Sequence, residues 1–247
     1  MTTLSKVGAT RGAWMMLGEP GLTGRIASAG FDWILLDQQH GAIGPDRLVE
    51  LARAHDHSAS MLAVRVASDD AHAIGRALDV GATIVVVPMV ESAAQAGAIV
   101  SAAQYPPRGR RSWGPLTAMW GRSPLLPTES DPRVWVMVET REALDALSEI
   151  CAVPELDSVF VGPYDLSLAL GTTVQELLDD TDGQLARIVS ECRDAGISSG
   201  AFAGSAAVAE RLREIGFDNL AVATDVGIVD AGAAHALPGG DPARSLY

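Results

Sequence analysis

Two hydrophobic patterns alternate along the chain. Short runs rich in branched apolar residues recur as AWMML, WILLD, MLAVRV, TIVVVP, VWVMVE, SVFVG, SSGAFA and NLAVAT, which makes eight strand candidates. Between them lie PDRLVELARAH, DAHAIGRALDVG, ESAAQAGAIVSAA, TREALDALSEI, DGQLARIVSECRDAG and SAAVAERLREIG, whose apolar positions return every three to four residues. That spacing predicts amphipathic helices, and several of the segments stop at Gly, as helices commonly do. Strands that are apolar almost throughout, each followed by a helix, predict a parallel sheet covered on its faces. Eight such units favour closure into a (β/α)8 TIM barrel. An open doubly wound sheet is the runner-up, but no G-x-G-x-x-G follows the first strand.

The chain of 247 residues is an ordinary length for one such barrel, so a single domain over residues 1–247 is expected. Residues 105–133, YPPRGRRSWGPLTAMWGRSPLLPTESDPR, are irregular and rich in Pro, Gly and Arg, and they read as an active-site loop. A formal charge of −13, from 18 basic and 31 acidic residues, disfavours nucleic acid and anionic membrane surfaces as partners. Cys151 and Cys192 share no metal-type spacing, and no signal-peptide pattern precedes them, so a reduced, cytoplasmic setting is expected. No apolar run reaches the roughly 18 residues of a membrane span.

Barrel chemistry sits where strands end and loops begin. In WILLDQQHGAIG the second strand ends in Asp37, Gln39 and His40. Glu139 closes the fifth strand, Asp165 follows the sixth in FVGPYDLS, and Arg65 sits inside the third, where a cation in an apolar strand needs a partner or a task. Two carboxylates without a nearby cysteine suit a hard divalent cation such as Mg2+ or Mn2+. Each residue also has a plain structural role open to it. Glu139 and Asp165 suit helix N-termini, Arg65 suits an ion pair, and His40 suits a loop. Their convergence on one mouth favours chemistry. The remaining histidines, His55, His57, His72 and His235, are expected to be solvated, and the Gly-Ser of AFAGS to cap a helix. The sole lysine is Lys6, ahead of the first strand, so Schiff-base catalysis is not expected.

The segments GFDWILLDQQHG, AVRV, ALDVGATIVVVPMVESAAQA, YPPRGRRSWGP, VMVETREAL and VFVGPYDLSLALG together resemble the HpcH/HpaI family of class II 2-oxo acid aldolases. The resemblance spans essentially the whole chain. It implies a (β/α)8 barrel with its C-terminal helix swapped between subunits of a homo-oligomer, generally a hexamer. It implies reversible cleavage of a 4-hydroxy-2-oxo acid to pyruvate or hydroxypyruvate and an aldehyde, dependent on Mg2+, Mn2+ or Co2+. On this resemblance the metal falls to Glu139 and Asp165, and the base to His40, supported by Asp79 and Asp37. Enolate stabilisation falls to Arg65, and the donor carboxylate to the backbone of Gly162, Pro163, Tyr164 and Asp165. Two substrate-facing positions depart from the family's dioate aldolases, Gln39 in place of Glu and Met137 in place of Gln. Related lyase or decarboxylase chemistry on a 2-oxo acid or acyl-thioester, and a barrel without turnover, are the alternative expectations.

Overall fold

The computed structural model describes residues 9–180 and 182–237. Lys6 and the extreme C-terminal residues lie outside these. Eight parallel strands close in sequence order into a barrel. They are β1 Thr10–Met15, β2 Trp33–Asp37, β3 Met61–Arg65, β4 Ile84–Val87, β5 Arg133–Met137, β6 Ser158–Val161, β7 Ser198–Phe202 and β8 Asn219–Thr224. All eight expected strands are present. The helices that clothe them are α1 Pro20–Ala27, α2 Leu48–His55, α3 Ala71–Asp79, α4 Ala93–Ala103, α5 Arg141–Asp145, α6 Leu147–Cys151, α7 Pro163–Leu170, α8 Val174–Asp179, α9 Gln184–Ala195, α10 Ala206–Ile215 and α11 Asp225–Ala236. The irregular segment after α4 holds a single short 3-10 turn, Leu116–Trp120. The last helix, α11, packs on β1, β8 and α1 of its own chain. No helix among the described residues is long and apolar enough to cross a membrane.

Alternation along the strands divides the core in two. Ile34, Leu36, Leu62, Val64, Val134 and Val136 face outward and meet the helices. Trp14, Trp33, Leu35, Ala63, Ile84, Val86, Trp135, Met137 and Phe160 face inward and fill the barrel. Trp33 meets Trp135 edge-on at 5.5 Å, and Trp135 stacks on Phe160 at 5.8 Å. So much aromatic volume fits only because its cross-strand neighbours are small. Gly12 is the Cα partner of Trp33, and a Cβ there would fall 2.2 Å from the Trp33 ring. The plug leaves no pore; below it Thr10, Ser198 and Asn219 bond to one another at the strand starts, and the charged inward positions lie above it, at the C-terminal strand ends.

At the opposite end, carboxylates serve the fold. Asp32 accepts the Arg11 amide at 2.7 Å, Asp157 the Val134 amide at 2.8 Å and Asp218 the Ser199 amide at 2.9 Å, each securing the start of a neighbouring strand. His55 corrects the expectation that it is solvated. It is 7% exposed, its ring bonds Ser60 Oγ at 2.9 Å, and burial pushes its pKa below the ordinary value. The reason lies in α2 itself, where Leu48, Leu51, Ala52 and His55 share the buried face. Ser205 caps α10 by accepting the Val208 amide, as expected for AFAGS.

Candidate active site

The inward series on β2 runs Trp33, Leu35, Asp37, and that on β3 runs Met61, Ala63, Arg65. Asp37 and Arg65 are Cα partners across the two strands, so both side chains enter the barrel at one level. Arg65 Nε and Nη2 donate to the two Asp37 oxygens at 2.8 and 2.6 Å, a bidentate pair with Asp37 fully buried and Arg65 6% exposed. Burial alone would raise the Asp37 carboxyl. The Arg65 bonds and charge, the Trp14 indole N–H and the Gln39 amide outweigh it and hold the group below its ordinary value. Asp37 also accepts the His40 amide at 3.3 Å, which shapes the turn that carries His40 to the exposed rim.

On β5 the inward series Trp135, Met137 continues to Glu139, which is 2% exposed. One of its oxygens accepts the Met89 amide at 3.2 Å, and Met89 adopts the left-handed conformation (φ 56°) in making that contact. The other oxygen, Oε2, is buried with no hydrogen-bond partner. Burial, with the Asp165 charge second, pushes the Glu139 pKa up to about 7. Asp165 stands in the first turn of α7 and is exposed. Gly162 joins the two carboxylates, since a Cβ there would fall 2.8 Å from Glu139 Oε2 and 3.5 Å from Asp165 Oδ2.

These features fit a divalent cation. A buried carboxylate oxygen without a donor, raised in pKa by burial and then by a neighbouring carboxylate across a side-chain-free space, is an arrangement that positive charge relieves. Two protein carboxylates leave the remaining positions to water and substrate, as hard cations such as Mg2+ prefer. Gly162→Ala is therefore expected to weaken divalent-cation affinity by about tenfold or more while the fold persists, because the added methyl enters the space between the carboxylates. Calorimetric titration with Mn2+ beside a thermal melt checks this, and unchanged affinity would remove Gly162 from the site.

The comparisons with known proteins agree with this geometry. The family model described as HpcH/HpaI aldolase/citrate lyase matches residues 11–231. The chain belongs to the HpcH/HpaI aldolase/citrate lyase family. It is 38% identical to a 4-hydroxy-2-oxovalerate aldolase of Novosphingobium aromaticivorans over 76% of this chain and 75% of that protein. It is 34% identical to a hydroxypyruvate/pyruvate aldolase of Paraburkholderia phytofirmans over 87% of this chain and 86% of that protein. The crystal structure of an HpcH/HpaI aldolase/citrate lyase family protein from Burkholderia cenocepacia superposes with a TM-score of 0.84 at 29% identity, covering 93% of both chains. This chain is accordingly an aldolase, a carbon–carbon lyase, in a family that is generally metal-dependent.

Of the residues expected in this HpcH/HpaI site, the structure gathers Asp37, Gln39, His40, Arg65, Met137, Glu139 and Gly162 to Asp165 around one mouth. Met137 lies with its sulfur 3.8 Å from Arg65 Nη1. Gln39 is half-buried, and its Oε1 has no partner. Asp79 is not brought to His40 within one chain. It ends α3, which runs from the mouth back to the base, and its carboxylate takes Arg111 Nη2 at 2.7 Å while Arg111 lies over the Tyr105 ring. Trp14 and Met89 are site neighbours that the sequence reading left out. Trp14 had a legible signal, being inward-phased on β1, whereas the Met89 amide had none because a backbone donor carries no sequence signature.

Proposed function

We propose that this mouth cleaves a 4-hydroxy-2-oxo acid to pyruvate, or to hydroxypyruvate, and an aldehyde, and that it runs the reverse aldol addition. The observation that carries the reading is the buried Asp37–Arg65 pair standing beside the unpaired oxygen of Glu139. Glu139 and Asp165 would hold a divalent cation, Mg2+, Mn2+ or Co2+, which when bound supplies a Lewis acid for the substrate's carboxylate and keto oxygens. Arg65 spends two N–H groups on Asp37 and one weakly on the Met137 sulfur, and its two remaining N–H groups serve the keto oxygen, where negative charge gathers as the C3–C4 bond breaks. His40 takes the C4 hydroxyl proton and returns a proton in the synthetic direction. The first-turn amides of Tyr164 and Asp165, which have no intrahelical acceptor, receive the donor carboxylate at the N-terminus of α7.

Asp79 supports His40 in this reading only from a neighbouring copy, so the proposal includes a homo-oligomer, a hexamer on the family pattern. Small-molecule 2-oxo acids and aldehydes are the partners, and the setting is cytoplasmic. Exhaustive chelation is expected to abolish pyruvate release, and added Mg2+, Mn2+ or Co2+ to restore it. Full activity in the metal-free protein would overturn the reading.

Substrate choice falls to Gln39 and Met137. An amide in place of a carboxylate beside His40 removes a negative charge, and methionine leaves a flexible apolar wall against Arg65. Broad use of polar, apolar and carboxylate-bearing aldehydes is expected, with kcat/KM across the panel shifting in Gln39→Glu and Met137→Gln. A strong preference for one carboxylate-bearing aldehyde, unmoved by either change, would exclude these positions from specificity.

A further inference from the structure

A guanidinium paired with one carboxylate still has freedom to swing with its partner. A third side chain removes that freedom here. Trp14, inward on β1 and 2% exposed, donates its indole N–H to Asp37 Oδ2 at 3.1 Å. The Arg65 guanidinium carbon lies 4.8 Å from the centre of the same ring, within cation–π range. Phe202 meets the indole edge-on at 5.3 Å and Phe160 lies 5.7 Å from it, so two further aromatic rings pack against it.

A residue serving only to fill the barrel needs the ring and not the N–H. In this site the N–H goes to a carboxylate that already accepts two bonds from Arg65 and the amides of Gln39 and His40. With Trp14 included, five donors meet its two oxygens, about the full acceptor capacity of a carboxylate. Asp37 is thereby an anchor with no lone pair left for substrate. Its two oxygens set the plane of the guanidinium, and Trp14 sets the plane of the carboxylate.

We propose that Trp14 is a positioning residue for the enolate-forming step, holding the Asp37–Arg65 pair rigid through its N–H and its ring face. The inference rests on the role assigned above to Arg65. Small displacements of an aligned group are costly in rate, so the effect belongs in kcat and not in KM.

The test removes the N–H while keeping the ring. Trp14→Phe does so with some loss of volume, and benzothienylalanine at position 14 does so with almost none, which covers the case in which the phenylalanine variant fails to fold. Exchange of the pyruvate methyl protons with D2O, followed by NMR on the metal-loaded protein, reads the step directly. Both variants are expected to lose about tenfold in kcat for exchange, the scale of one hydrogen bond to a charged group, with KM within about twofold, and the benzothienylalanine protein to melt closer to wild type than Trp14→Phe. In an Asp37→Asn background, where long incubations read the residual exchange, the same replacement is expected to cost less than about twofold further, because the route from indole to guanidinium is already cut.

Wild-type exchange in the benzothienylalanine protein, or an equal loss in both backgrounds, would overturn the proposal. Arg65→Ala separates the two levels. If it retains exchange, the reading of the site falls and this inference with it. If it abolishes exchange while the Trp14 variants behave as wild type, only the role of Trp14 falls.

Discussion

Arg65→Ala is expected to lower aldol cleavage by about 10³-fold and to suppress exchange of the pyruvate methyl protons to a similar degree, the upper scale for losing a preorganised donor at a developing oxyanion. The same change should also cost stability. Asp37 is fully buried, and with Arg65 gone its charge has only the Trp14 N–H and two backbone amides for partners. Breaking one side of a buried ion pair typically costs about 3–5 kcal/mol. Asp37→Asn made together with Arg65→Ala removes the orphaned charge, so the double variant should melt above Arg65→Ala alone while remaining equally inactive. That reversal separates the two roles of the arginine. Wild-type proton exchange in Arg65→Ala would show that another group stabilises the enolate, whatever the melting temperature does.

Glu139→Gln is expected to reduce divalent-cation affinity by about 100-fold or more and to abolish pyruvate release at ordinary metal concentrations, because the amide removes a charge from a pair of carboxylates that has no third acidic partner among the described residues. A pH signature accompanies it. The Glu139 pKa in the folded, metal-free protein is raised from 4.5 to about 7, so the folded state holds a proton that the unfolded state has released. Protonated Glu139 is tolerated, and its contribution is present below about pH 4.5. It is lost as pH rises to about 7, a span worth on the order of 3 kcal/mol. Bound metal takes the place of that proton. The rise in melting temperature on adding Mn2+ should therefore grow from pH 5 to about pH 7 and then level off, and in Glu139→Gln the metal-induced rise should be small and without this pH trend. A metal-induced rise that is flat across this range would contradict the raised pKa.

The barrel was legible because its signals are local. β-Branched runs such as TIVVVP and helical spacing such as that of PDRLVELARAH depend on residues within a few positions of each other, and eight strand runs alternating with six helical segments leave few closed architectures. The period of two also places Asp37, Arg65 and Glu139 in phase with Trp33, Ala63 and Trp135, so their inward direction is written in the strands. The helical period placed His55 on the apolar face of α2 in the same way, although its residue type suggested solvent. α1 was harder to see, since the apolar positions of PGLTGRIA are few and interrupted by glycine.

Partnership needed the closed structure. Asp37 and Arg65 are 28 residues apart, and only the β2–β3 register sets them opposite each other. Met89 reaches Glu139 across 50 residues through a backbone amide that any residue type supplies. The indole of Trp14 reaches Asp37 because strand tilt brings neighbouring inward layers together above the aromatic plug. Asp79, whose local setting at a helix end is plain in the sequence, lies at the far end of the barrel from His40 because helices in this fold return the chain to the base. Which way each strand or helix side chain points can be read along the chain, because that follows from backbone period. Which groups share protons and charge is fixed by the closed barrel, because those interactions fall off within a few ångströms and join residues that closure alone brings together.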